Sequence, residues 1–112
     1  MGDRANIVLK DGDTAVYLYT HWNGYRIEAI AAAGLRAAIS AGRVTDTAYG
    51  GRIVTGVFLA EHADDPYLGA GISAQLQDGR DHMVVIDFAT QQVTYGRPHS
   101  VSITEFVQRF PA

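Results

Sequence analysis

Hydrophobic and polar residues alternate along this chain in two rhythms, one of period two and one close to 3.6 residues. The period-two rhythm opens it. Residues 6–9 read as a short strand, and Lys10-Asp11-Gly12-Asp13 supplies an Asp-Gly hairpin turn whose central residues can both take positive φ. Residues 14–20 return as a second strand, rich in β-branched and aromatic side chains. Its alternation places Val16, Leu18 and Thr20 on one face, with Tyr17, Tyr19 and then His21 on the other.

The helical rhythm follows. Asn23 is positioned to cap a helix over residues 25–41, in which Ile27, Ile30, Ala31, Gly34, Leu35, Ala38 and Ile39 share one side. Gly34 within that stripe predicts close approach to another backbone, and Gly42 terminates the helix. Residues 46–62 carry mixed signals. Gly50, Gly51 and Gly56 each cost about 1 kcal/mol in a helix relative to Ala, and Ile53, Val54, Thr55, Val57 and Phe58 favour a strand. Tyr49, Ile53, Val57 and Ala60 nevertheless align at helical spacing behind a cap at Thr45 or Asp46. A helix here makes an αα-hairpin with its predecessor.

Beyond it, residues 62–69 form a loop marked by Asp64, Asp65, Pro66 and Gly69. Residues 71–77 alternate as a strand, 78–81 turn the chain, and 82–88 form the most apolar strand, expected to be central. A turn at 89–92 leads to a strand over 93–95. Ser102 and Glu105 have capping-box spacing, and Phe106 and Phe110, four apart, dock the final helix. The expected fold is a single α+β domain over residues 1–112 in ββααβββα order, an antiparallel sheet with helices packed on one face. With helices over Leu18 and Thr20, the tyrosines of the second strand face solvent or a groove.

Composition narrows the partners. With 112 residues and 47% hydrophobic content, one core can form without staples. The absence of cysteine removes disulfides, thiolate metal sites and a cysteine nucleophile, and suits a reducing cytoplasm. A net charge of -3 argues against duplex nucleic acid, which needs a basic field. Neither a secretory signal pattern nor an apolar run of about 18 residues occurs, so no membrane partner is expected.

Most catalytic chemistry lacks its residues. His21, His62, His82 and His99 are too far apart in sequence for a local metal motif, and Glu61, Asp64 and Asp65 lack the alternation of a calcium loop. No Gly-x-Ser-x-Gly elbow, Ser-x-x-Lys pair or phosphate loop is present. Asp87, on the same strand side as Met83 and Val85, suits either a general acid or base or a hydrogen-bonded strand end. No catalytic residue, metal or cofactor is assigned. The remaining constellation is aromatic: Tyr17, Tyr19, Trp22 and Tyr25, with Thr20, His21 and Asn23 among them and Arg4 and Arg26 near. Their π-faces can hold a planar ligand, their polar groups can read its edge, and the arginines can neutralise a phosphate.

The segments GDRANI at residues 2–7 and VYLYTHW at 16–22, followed by Gly24, resemble a group of small uncharacterised proteins of actinobacteria and their phages. That resemblance implies paired helices, a Phe-containing terminal helix and a bacterial or phage-infected cytoplasm; it implies no catalytic residue. The expectation it motivates is a non-catalytic binder of a small ligand, a phage counter-defence protein sequestering a nucleotide immune signal. Two alternatives stand beside it: a small hydrolase or nucleotide-cleaving enzyme using His21 with Asp87 or the acidic loop, and a protein-interaction module. A homo-oligomer is also expected, with Gly34 or the Gly50, Gly51 and Gly56 series allowing close contact between chains.

Overall fold

The structure, a computed structural model, describes residues 3–64, 69–77, 82–96 and 99–111. The turn expected at 78–81 and the acidic-loop residues Asp65 and Pro66 lie outside the described residues. Strands β1 (Ala5–Asp11) and β2 (Thr14–Thr20) form the hairpin, and helices α1 (Ile27–Ser40) and α2 (Thr47–Ala60) follow. Then come β3 (Ala70–Ser73), β4 (Met83–Asp87), β5 (Gln92–Tyr95), β6 (His99–Ser102) and α3 (Ile103–Arg109). The six strands make one sheet in the order β3-β2-β1-β4-β5-β6, antiparallel except where β4 runs parallel beside β1. The α+β architecture with helices on one sheet face is as expected, with β4 internal and β6 as an additional edge strand.

Alternation along the strands divides the sheet cleanly. Ala5, Ile7 and Leu9, Leu18, Val84 and Ile86, and Val93 turn toward α1, α2 and α3 and are buried with Ile27, Ile30, Leu35, Val54, Phe58 and Phe106. The opposite face carries Tyr17 and Tyr19, Asn6, Val8 and Lys10, then Met83, Val85 and Asp87. No helix covers that second face among the described residues. The helix pair is close because Gly34 packs on Val54: a β-carbon on Gly34 would lie 3.0 Å from the Val54 Cα. Gly42, at φ +69°, ends α1 in a Schellman arrangement, Arg43 N–H donating to Ala38 O and Gly42 N–H to Ile39 O.

Several local expectations need correction. The hairpin turn is centred on Gly12 and Asp13, and Gly12 is the one with positive φ, the pattern of a type II′ turn. Asn23 makes no side-chain cap. Its backbone N–H donates to Thr20 Oγ1 at 3.1 Å, while the Tyr25 N–H is taken by Asp3 Oδ2 at 2.7 Å. A 3-10 turn, Gly24–Arg26, therefore precedes α1. The helix over 46–62 forms, with Asp46 capping Tyr49 N–H, but it buries Gly50, Gly51, Val54 and Phe58. The side bearing Tyr49, Ile53, Val57 and Ala60 faces outward instead, because only the glycine side can approach α1, Arg43 and Leu9 closely.

Strand β3 stops at Ser73, not Gln77. Ser73 Oγ accepts from Gln75 N–H and Gln77 Nε2, and this local bonding competes with ladder pairing. Residues 74–77 then pass over the uncovered face, where Gln77 O accepts from Asn6 Nδ2. The capping box forms by halves: Ser102 Oγ accepts from Glu105 N–H, while the Glu105 carboxylate pairs with Arg109. Arg109 also donates to Tyr95 OH at 2.8 Å, a bond that pushes its pKa above the ordinary value. Phe106 and Phe110 pack with Tyr95 as a ring cluster, centroids 5.0–5.3 Å apart.

Candidate functional site

Strand β2 carries the aromatic residues to the end of the sheet where β1, β3 and β4 begin. Tyr17 and Tyr19 stand on the uncovered face, both half-buried, with Val8 and Asn6 beside them on β1. On the outer side their partners are Ser73 and Gly71, too small to hide the ring faces. This exposure follows from the register: any large residue at position 71 would cover Tyr19.

After Thr20 the chain leaves the sheet, and alternation no longer controls direction. His21 turns back so that its Nδ1 lies 3.2 Å from Tyr19 OH, with ring centroids 6.3 Å apart and nearly perpendicular. Trp22 stacks edge-on against the imidazole, centroids 4.1 Å apart at 68°. The three rings form a row from the sheet face to the strand end. Trp22 is 47% exposed, and the Tyr19 bond occupies only one imidazole nitrogen, so Nε2 can read a ligand edge.

The other candidates divide. Thr20 points to the helix side and is fully buried, its hydroxyl 2.8 Å from His62 Nε2. His62 Nδ1 must carry a proton, because its partner is the Phe58 carbonyl at 2.8 Å. His62 Nε2 and the Thr20 hydroxyl bond each other, and Thr20 accepts the Asn23 N–H. This chain of bonds ties the end of β2 to the end of α2, holding the turn that presents His21 and Trp22. Thr20 and the backbone of Asn23 thus support the row from behind. His62, which sequence reasoning left among scattered histidines, is the residue it missed; a histidine four residues after Phe58 at a helix end was the available signal.

Tyr25 is 71% exposed near the start of α1, and Arg26 is engaged by Glu61. Arg4 is exposed just before β1. The arginines flank the strand end. Two grooves reach the lower sheet. One, of about 400 Å³, lies on the uncovered face among Val8, Lys10, Tyr17, Leu76, Met83 and Val85. The other, about 350 Å³, lies between the hairpin tip and α2, lined by Leu9, Asp11, Val16, Thr47, Gly51 and Arg52.

Of the catalytic combinations considered from sequence, His21 with Asp87 is not brought together. Thr20 pairs with Ala5 and Asp87 with Lys10, at opposite ends of β1. At ~3.3 Å per residue, Thr20 and Asp87 are separated by about 17 Å along β1, and His21 lies one residue further away. Asp87 is occupied at its own end, 3.7 Å from Lys10 Nζ and accepting from the Ala89 and Thr90 N–H groups. Of the acidic loop, Glu61 holds Arg26. Among the described residues, no three His, Asp or Glu side chains converge as a metal site, and no helix is long and apolar enough to cross a membrane. Neither a known protein family, nor a curated protein, nor a solved structure matches this chain.

Proposed function

We propose that this chain is a non-catalytic binding protein for a small planar ligand, held against the Tyr19–His21–Trp22 row. The observation that supports the reading is the row itself: three aromatic rings at a strand end, each against the next, with Trp22 47% exposed, beside the sheet face that the helices leave uncovered. Aromatic faces favour a heterocycle, and a free imidazole nitrogen suits its polar edge. Ala5 pairs with Thr20, so Arg4 comes close to this strand end and can address a phosphate, which makes a nucleotide the favoured class. The resemblance to actinobacterial and phage proteins supports a narrower form, a counter-defence protein that sequesters a nucleotide signal of bacterial immunity.

Trp22 is the only tryptophan in the chain, so its fluorescence reports on this site alone. Titration with AMP, ADP-ribose and a cyclic dinucleotide is expected to quench it with one of the three, saturably. Mass spectrometry after denaturation is expected to recover that nucleotide intact. A hydrolysed product converts the reading to an enzyme. Absence of quenching with all three, together with unchanged thermal stability, discards the site.

A further inference from the structure

The outward side of α2 carries apolar side chains that the fold leaves exposed among the described residues. Tyr49 is 58% exposed and Leu59 44% exposed, and Ile53 and Val57 lie between them. A shallow groove of about 560 Å³ runs over this side, lined by Arg52, Ile53, Gly56, Val57, Leu59 and Ala60. Apolar side chains spaced along an exposed helix lose free energy by remaining hydrated, at about 25 cal/mol per Å². The helix has already used its glycine side inside the domain, at Gly50 and Gly51. Gly56 alone of its glycines is exposed, and a β-carbon there would meet nothing within 4 Å.

Charge on the same ridge identifies the occupant. Arg52, Gly56 and Ala60 are four residues apart on the exposed side of α2, and Asp64, also exposed, follows on the turn after the helix. Ion pairs elsewhere are made within the chain: Arg26 with Glu61, Lys10 with Asp87, Arg109 with Glu105. Arg52 and Asp64 have no such partner among the described residues. The exposed side of α2 and the turn after it therefore carry a cation at one end, an anion at the other and two small residues between them. Such an arrangement is complementary to itself when reversed.

We propose that α2 packs antiparallel on α2 of a second copy of this chain, about a two-fold axis between Gly56 and Ala60. That axis sets Arg52 against the partner's Asp64 and Asp64 against the partner's Arg52. It also sets Gly56 against the partner's Ala60. Aligning two i±4 ridges gives a crossing angle near −50°, the commonest helix packing class. The contact is isologous, so each pair occurs twice and the assembly closes as a dimer.

Sedimentation equilibrium of the full chain tests this. A dimer is expected at about 100 µM, and Arg52→Asp or Asp64→Arg alone is expected to raise the dissociation constant ~10-fold or more, by setting like charges opposite each other. The double variant Arg52→Asp with Asp64→Arg restores the complement in reversed order, and its dissociation constant is expected to return to within ~3-fold of the original. A chain that is monomeric at that concentration overturns the proposal and leaves the face to a different protein. A dimer indifferent to both single reversals, or a double variant as weak as the singles, overturns this axis.

Discussion

Gly34 of α1 and Val54 of α2 are so close that a β-carbon on the glycine would lie 3.0 Å from the Val54 Cα and 3.1 Å from its Cγ1. The contacting atom is backbone and cannot rotate away. In α2 itself, Gly51 offers the contrast, since a β-carbon there would sit 3.7 Å from Leu9 Cδ1, ordinary van der Waals contact. The same substitution should therefore have opposite signs at two places in one helix pair. Gly34→Ala forces the helices apart and is expected to cost about 1–3 kcal/mol despite Ala's better helix propensity. Gly51→Ala is expected to gain up to about 1 kcal/mol. Urea denaturation of both variants measures this; stabilisation by Gly34→Ala contradicts the close contact.

The start of α1 is held by a residue before β1, not by the expected cap. Asp3→Ala removes the acceptor of the Tyr25 N–H and should lower stability by about 0.5–2 kcal/mol. Asn23→Ala leaves every observed cap bond in place, because only the Asn23 backbone takes part. Its thermal midpoint should stay near that of the unaltered chain. Equal losses at the two positions would return the cap to Asn23.

Thr20 and His62 act as one buried unit. Thr20→Val leaves His62 Nε2 unmatched, and His62→Phe leaves the threonine hydroxyl unmatched, so each is expected to cost about 1–3 kcal/mol. The pair together removes both orphaned groups. A double-mutant cycle should give a coupling of at least about 0.5 kcal/mol, with the double variant less unstable than the sum of the singles. Simple additivity contradicts the bond.

Within the proposed binding row, Tyr19 contributes a ring and a tether. Tyr19→Phe keeps the ring but loses the bond to His21 Nδ1, which frees the imidazole to rotate. Affinity for the nucleotide identified by Trp22 quenching is expected to fall ~2- to 10-fold, the equivalent of one hydrogen bond. Tyr19→Ala removes the ring too and should reduce it further. Thermal melts of both variants separate lost binding from lost folding.

Local pattern alone was enough to read most elements of this protein. Strict alternation in residues 14–20 sets which side chains share a face, and the spacing of Ile27, Ile30, Gly34, Leu35 and Ala38 sets the buried stripe of α1. Even the proximity that Gly34 implies was legible, because a glycine in an apolar stripe has few other uses. The grouping of Tyr19, His21 and Trp22 was visible as adjacency in the sequence. What adjacency could not convey was direction. Thr20, in the middle of the group, turns to the opposite side of the sheet.

Other features depended on residues far apart in the chain. β4 lies parallel to β1 because the chain crosses the sheet after β3, and that crossing separates His21 from Asp87. α2 could bury either its glycine side or its Ile53–Val57 side; close approach to α1, Arg43 and Leu9 selects the glycines. His62 acquires a role only where the end of α2 reaches the end of β2. Periodicity and caps act over a few residues and are written locally. Register, crossover and the choice between two apolar faces are decided by which partners arrive, and only the folded chain brings those together.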